Sequence, residues 1–169
     1  MVLARTADEL AQFRGTQTCP VYVSRFIDFR SSDNWFRKYR IILVDRKPFH
    51  YPLAISPNWM VHYYTAEMES HPWKPKEEKE FLQNPDAVLG TAGMQAIRSI
   101  GARMDLDYAG IDFSIMPDGR ILVFEANPTM LIHTEDLYGP LDHKNAYVFR
   151  IAAKFEELLN RKTSAVAEI

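Results

Sequence analysis

A chain of 169 residues that is 47% hydrophobic and 12% aromatic is large enough to bury one sizeable core. Its 20 basic and 22 acidic residues leave a formal net charge of -2, which gives no electrostatic reason to expect nucleic acid or an anionic membrane as partner. One cysteine, Cys19, excludes a disulfide framework and a cysteine-based zinc site; no apolar run reaches the roughly 18 residues of a membrane helix, and the opening "MVLARTADEL" is too acidic for a secretory signal, so a cytoplasmic protein is expected.

The elements follow in chain order. Thr6 caps a short helix with Glu9 at its third position; Leu10 and Phe13 share one side and Gly15 stops it. The segment "CPVYVSRFIDF" (19–29) is rich in β-branched and aromatic residues and reads as a strand, followed by the polar loop "RSSDN". "YRIILVDRKPFHYPLAIS" (39–56) reads as two strands around a charged turn near Arg46 and Lys47. From 57 to 85, Pro57, Pro72, Pro75 and Pro85 deny any long helix or central strand, which predicts a long connecting excursion. Its run "KPKEEKE" (74–80) alternates in sign and predicts a solvated helix face rather than a binding patch.

After the excursion, Val88, Ala92, Ala96, Ile97, Ile100 and Met104 recur at helical spacing. Near the end, Val148, Ile151, Ala152, Phe155, Leu158 and Leu159 form a second apolar stripe, read as core-facing. The sum is α+β, with a largely antiparallel sheet covered by helices.

Between the two helices lies "GIDFSIMPDGRILVFEANPT" (110–129). Asp118-Gly119 predicts a two-residue type I′ turn. Counting outward from it, Ile115 faces Leu122, Phe113 faces Phe124 and Asp112 faces Glu125. Phe113, Ile115, Leu122 and Phe124 then share an apolar face, and both acids lie on the other, with Asn127 following Glu125. Directly opposed like charges, roughly 4.5–5.5 Å apart at Cβ, destabilise a sheet unless something offsets them. A shared proton, a nearby Arg or Lys, or a metal ion can do so. Two carboxylates and an amide oxygen form an all-oxygen set suited to magnesium beside phosphate oxygens, and the lack of imidazole or thiolate argues against zinc. The plainer reading puts one acid at a solvated strand end.

Asp112 on one strand, then a turn, then "FEANPT" with Glu125 and Asn127 resembles the metal-binding end of the ATP-grasp superfamily, which includes RimK-type peptide ligases, glutathione synthetases and D-alanine:D-alanine ligases. "PVYVSRFID" is similar to the strand and hinge beside adenine, and "KYRIILVDRKPFHYPLAIS" to the following hairpin; the likeness runs over residues 6–130. It implies that Asp112, Glu125 and Asn127 hold magnesium, with manganese as the alternative, against the ATP phosphates. Phe26 and Ile27 would touch adenine, Asp33 would reach the ribose, Phe124 would flank the base, and Arg40 would be the catalytic cation at the transferred phosphate. On the residues alone, Phe26 and Phe124 read as core, Asp33 as a loop residue bonding its own backbone, and Arg40 as a solvated strand residue. His62 and His133 carry no role.

The implied activity is that of an ATP-dependent carboxylate-amine ligase, with a small-molecule or peptide carboxylate and an amine as substrates. Superfamily members also use a small lobe with a glycine-rich loop and lysines. The seven glycines here do not cluster and no lysine precedes Lys38. The resemblance therefore implies that residues 1–18 end such a lobe, that 19–169 form the C-terminal lobe, and that these residues alone are inactive without the upstream lobe. The competing expectation is a non-catalytic, degenerate ATP-grasp module for nucleotide or protein binding, with Trp59, Tyr63, Tyr64 and Trp73 suited to partner contacts.

Overall fold

The computed structural model describes residues 1–167. Thr6 caps α1 (Ala7–Gly15) as expected, its hydroxyl accepting from Glu9 N at 3.1 Å. The Glu9 carboxylate turns back to Arg5 N at 2.6 Å, one residue before the position of a reciprocal capping box. No residue of α1 is buried.

The strand expected over 19–29 does not form. Among the described residues the segment has no strand pairing, a single bridge between Arg30 and Phe36 coming just after it, and Val21, Tyr22 and Val23 are exposed. β-Propensity reports how well a side chain fits a pleated, half-buried surface. No described strand lies alongside to provide that surface, because the sheet holds only four strands, all from later in the chain.

Those strands are β1 (Phe36–Val44), β2 (Lys47–Ser56), β3 (Tyr108–Ile115) and β4 (Ile121–Asn127), in the order β2-β1-β3-β4 with every neighbour antiparallel. The β1–β2 turn is two residues, Asp45 and Arg46, with φ of 51° and 64°. Left-handed geometry at both positions suits the right-handed twist of a hairpin. Further along, Tyr39 pairs with Leu53 and Ile41 with His50, so both Tyr51 and Pro52 stand against Arg40 in a bulge.

The β3–β4 turn corrects the expected register. Met116 N donates to Arg120 O and Gly119 N to Met116 O, each at 2.8 Å, and within the loop only Gly119 has positive φ, at 81°. The loop is thus three residues, Pro117 to Gly119. Proline's fixed φ suits the second position of a type I turn, and glycine takes the left-handed position that closes it. Ile115 consequently pairs with Ile121 and Phe113 with Val123, each one residue off the expectation. A bulge at Phe124 shifts the register back, and Asp112 faces Glu125 as expected. Phe113 is fully buried, whereas Phe124 leaves the apolar face and is 41% exposed.

Two helices cover one sheet face. Tyr39, Ile41, Leu43, Leu53, Ile55, Ile111 and Phe113 pack there against α2 (Trp73–Gln83) and α3 (Pro85–Met104), through Phe81, Leu89, Met94 and Ile97. On the other face Ile42, Val44, Tyr51 and Met130 meet Val148, Ile151 and Leu158 of α4 (Asn145–Ala167). Each fully buried aliphatic side chain of this kind contributes about 1.5–3 kcal/mol. The α4 stripe is therefore core-facing as read, although Ala152 and Leu159 are exposed. In α3 only Ile97 of the expected stripe is fully buried; Gly90, at φ 65° and ψ 171°, breaks the helix and resets the phase of the residues before it.

The excursion holds more structure than its prolines suggested. Pro75 sits in the first turn of α2, where its missing N–H removes no helical bond. The "KPKEEKE" run is also not a solvated face, because Lys74 and Glu78 are buried. Lys74 Nζ donates to Ala66 O at 2.8 Å and lies 4.8 Å from the Trp35 ring centre. Glu78 accepts from Leu53 N and Tyr63 Oη, each at 3.1 Å, and faces His143 Nε2 at 3.2 Å. Sign alternation could not show this, since the partners that make the burial tolerable come from four other segments, at Trp35, Leu53, Tyr63 to Ala66 and His143. No helix among the described residues is long and apolar enough to cross a membrane.

Candidate functional site

Lys38 and Arg40 are two residues apart on β1 and so share a face. Arg40 pairs in register with Asp112 on β3, and Asp112 with Glu125 on β4, which forms a row across three strands. Asp112 is buried, yet both its oxygens are engaged: Oδ1 accepts from Arg40 Nε at 2.6 Å, and Oδ2 from Arg40 Nη2 and Lys38 Nζ, each at 3.0 Å. Burial alone would raise its pKa, but the hydrogen bonds and charges of Arg40 and Lys38 prevail and hold it below the ordinary 3.8. Burial likewise opposes the charge on Arg40, and Asp112 outweighs it, leaving the guanidinium pKa raised. A basic partner, one of the three remedies considered for two opposed acids, is thus already present.

Glu125 differs from Asp112 in being exposed. Its Oε1 accepts from Asn127 Nδ2 at 2.9 Å, and Asn127 Oδ1 accepts from Thr129 N and Oγ1, each at 2.8 Å. This relay orders the start of the loop after β4. Among the described residues, no three His, Cys, Asp or Glu side chains converge as a metal site.

Asp112 and Glu125 line a groove of about 880 Å³ together with Lys38, Phe26, Ile27 and Phe124. Phe26 packs edge-on against Trp59 with centroids 5.8 Å apart, and Phe124 lies 4.8 Å from Phe29. Phe26 and Phe124 are partly exposed on this wall rather than enclosed in the core. Asp33 is not among the groove residues: it accepts from Trp35 N at 3.1 Å within its own loop and pairs with Arg37 at 2.8 Å. Arg40 lines a neighbouring cavity, which shares Lys38 and His62 with the groove.

Comparison of the chain with protein-family models, with curated proteins and with solved structures gives no match. Function therefore rests on the row and the groove themselves. Of the residues singled out in the sequence, Phe26, Ile27, Asp112, Phe124 and Glu125 meet in one groove, with Asn127 bonded to Glu125 and Arg40 bonded to Asp112. Lys38 was missed. Its signal was its place two residues before Arg40 on a strand, which puts it on the same face.

Proposed function

We propose that the groove binds ATP with magnesium and that the chain is the C-terminal part of an ATP-dependent carboxylate-amine ligase of ATP-grasp type. The observation that supports this reading is one groove in which an apolar wall, Phe26, Ile27 and Phe124, adjoins a charged row, Lys38, Asp112 and Glu125. A planar base suits the wall, and a polyphosphate with its cation suits the row.

The donor set fits the metal in kind. Magnesium takes one or two carboxylates, keeps several waters and completes its shell with phosphate oxygens. Glu125 would be the open carboxylate, and Asn127 and Asp112 would join by exchanging a contact, Asn127 one with Thr129 and Asp112 one with Lys38 or Arg40. When bound, the metal would neutralise phosphate charge and help to orient the terminal group.

The chain's own residues would then act by position and charge. The two bonds that Arg40 donates to Asp112 fix its guanidinium, which would stabilise negative charge developing on a transferred phosphoryl group. In the reaction class proposed, a substrate carboxylate oxygen forms a bond to the terminal phosphorus of ATP as the bond to ADP breaks. The amine nitrogen then bonds to the acyl carbon, phosphate leaves, and the amine loses a proton to give the amide. A further lobe upstream would cover the phosphates, and residues 1–169 alone are expected to be inactive.

One observation favours a second reading, a nucleotide-binding module without catalysis: Asp112 already has both oxygens satisfied by Arg40 and Lys38. Calorimetric titration with ADP, with and without magnesium, separates the two. The ligase reading expects affinity to rise at least about tenfold with magnesium and to lose that gain in Glu125→Gln. Binding indifferent to both metal and Glu125 would remove the ligase reading and leave the module.

A further inference from the structure

The cavity beside the groove holds about 210 Å³ and is lined by Lys38, Arg40, Tyr51, Tyr63, Tyr64 and His133, among others. Its walls are built before any ligand arrives. Tyr51 Oη donates to His133 O at 2.9 Å and accepts from His133 N at 2.8 Å, fastening the loop after β4 to β2. The Tyr63 hydroxyl donates to the buried Glu78 at 3.1 Å, and Lys144 Nζ rests 3.7 Å from the Tyr63 ring centre while pairing with Glu135. Tyr64 meets Tyr63 and His133 edge-on, with centroids 6.2 and 5.9 Å away. With the polar ends of Tyr51 and Tyr63 engaged in this way, the rings are held as fixed apolar walls.

The charged end of the cavity is unlike the walls. Lys38 and Arg40 converge on a single carboxylate, Asp112, while Glu135, the carboxylate in the cavity lining, is paired with Lys144, so two cations contact one acid at this end. The lysine and the guanidinium are both suited to accept a further oxyanion. The volume is below the roughly 300–1,000 Å³ typical of sites for drug-sized ligands, which favours something no larger than one free amino acid.

We propose that this cavity binds a compact carboxylic acid with a single ring or short apolar body, its carboxylate at Lys38 and Arg40 and its body among Tyr51, Tyr63 and Tyr64. Because Lys38 also lines the groove, such an acid would sit with its carboxylate at the boundary where a nucleotide's phosphates would arrive. Its role as the acid that is phosphorylated rests on the ligase reading; its binding does not.

The test is a calorimetric titration of the whole chain, without nucleotide or magnesium, using benzoate, benzyl alcohol and inorganic phosphate as probes. Benzoate should bind at least about tenfold more tightly than benzyl alcohol, because only benzoate meets the cations with a charge. Lys38→Gln should weaken benzoate about tenfold, and Tyr64→Ala, at a side chain that is 74% exposed and so outside the core, should weaken it about threefold. Benzoate binding no better than benzyl alcohol, or unchanged in both variants, would overturn the assignment. Phosphate binding as tightly as benzoate would also overturn it, by showing an anion site without a place for the ring. Since no nucleotide is present, failure here leaves the ADP titration to stand or fall by itself.

Discussion

The two faces of the sheet use the same strands for opposite ends. On the face beneath α2 and α3, Ile41, Leu53, Ile55, Ile111 and Phe113 are completely buried, and Phe113 stacks on Tyr39 with centroids 5.5 Å apart. On the other face, the residues flanking Tyr39 are Lys38 and Arg40, and the residue before Phe113 is Asp112. A period of two residues lets one strand contribute core on one side and charge on the other. What separates the faces is cover. The first is roofed along its length, whereas α4 covers only the part of the second near Ile42, Val44 and Tyr51. The part beyond α4 keeps its charges because the buried acid there, Asp112, is bonded by both Lys38 and Arg40.

The contrast can be broken from either side. Phe113→Ala should have the largest effect, a loss of about 4 kcal/mol in chemical denaturation, because it opens a cavity in a closed layer. Arg40→Met on the charged face should lose somewhat less, about 3 kcal/mol, by leaving Asp112 buried with Lys38 as its only direct cation. If Arg40→Met were instead neutral, the row would be a loose surface pairing and the two faces would not differ as described.

Acid sharpens the comparison, because each face holds one group whose protonation opposes folding. On the roofed face, His50 lies edge-on to Phe81 at 5.6 Å, with its Nε2 buried and without a hydrogen-bond partner among the described residues. Burial lowers its pKa from 6.5 to about 4, slightly opposed by Asp86. The unfolded chain therefore takes up this proton first, so the stability due to neutral His50 is whole above pH 6.5 and declines as the pH falls toward 4. Asp112 also has a lowered pKa, so its contribution is whole above 3.8 and is lost only below that value as the pH falls. Unfolding midpoints across pH 7 to 3 should show His50→Leu free of a decline worth roughly 2 kcal/mol in the upper window, allowing for partial exposure. Loss of the same decline in Asp112→Asn instead would reverse the assignment of the two windows.

The β1–β2 hairpin, the capped first helix and the pairing of Asp112 with Glu125 were all legible from short-range rules. The last was reached through two errors that cancel: the turn is one residue longer than Asp118-Gly119 suggests, and the bulge at Phe124 takes that residue back. Local signals do not encode such a bulge, which forms where side chains must be re-aimed within a packed sheet. The 19–29 segment, exposed except at Phe29, shows the converse failure, since strand-like composition cannot tell whether a neighbouring edge exists. Lys74 and Glu78 were misread because their partners, Ala66, Leu53, Tyr63 and His143, come together only in the folded chain. The row itself was half legible: the acids stood out against apolar neighbours, whereas Lys38 and Arg40 resembled any strand residues facing water.

The smallest effect tests the comparison within one rung of the ladder. Asp112 and Glu125 face each other, yet the first is buried between cations and the second is exposed, with Asn127 as its side-chain partner. Glu125→Gln retains an oxygen for the Asn127 bond and removes a like charge opposite Asp112, so the small gain and small loss should leave stability within about 0.5 kcal/mol of the parent. A shift above about 1.5 kcal/mol would mean that Glu125 belongs to the framework, as Asp112 does. A stable Glu125→Gln chain that has lost its magnesium-dependent ADP affinity would instead separate the two acids by role. Asp112 would hold the strands and Arg40 in place, and Glu125 would remain free of structural duty because its charge is reserved for a ligand.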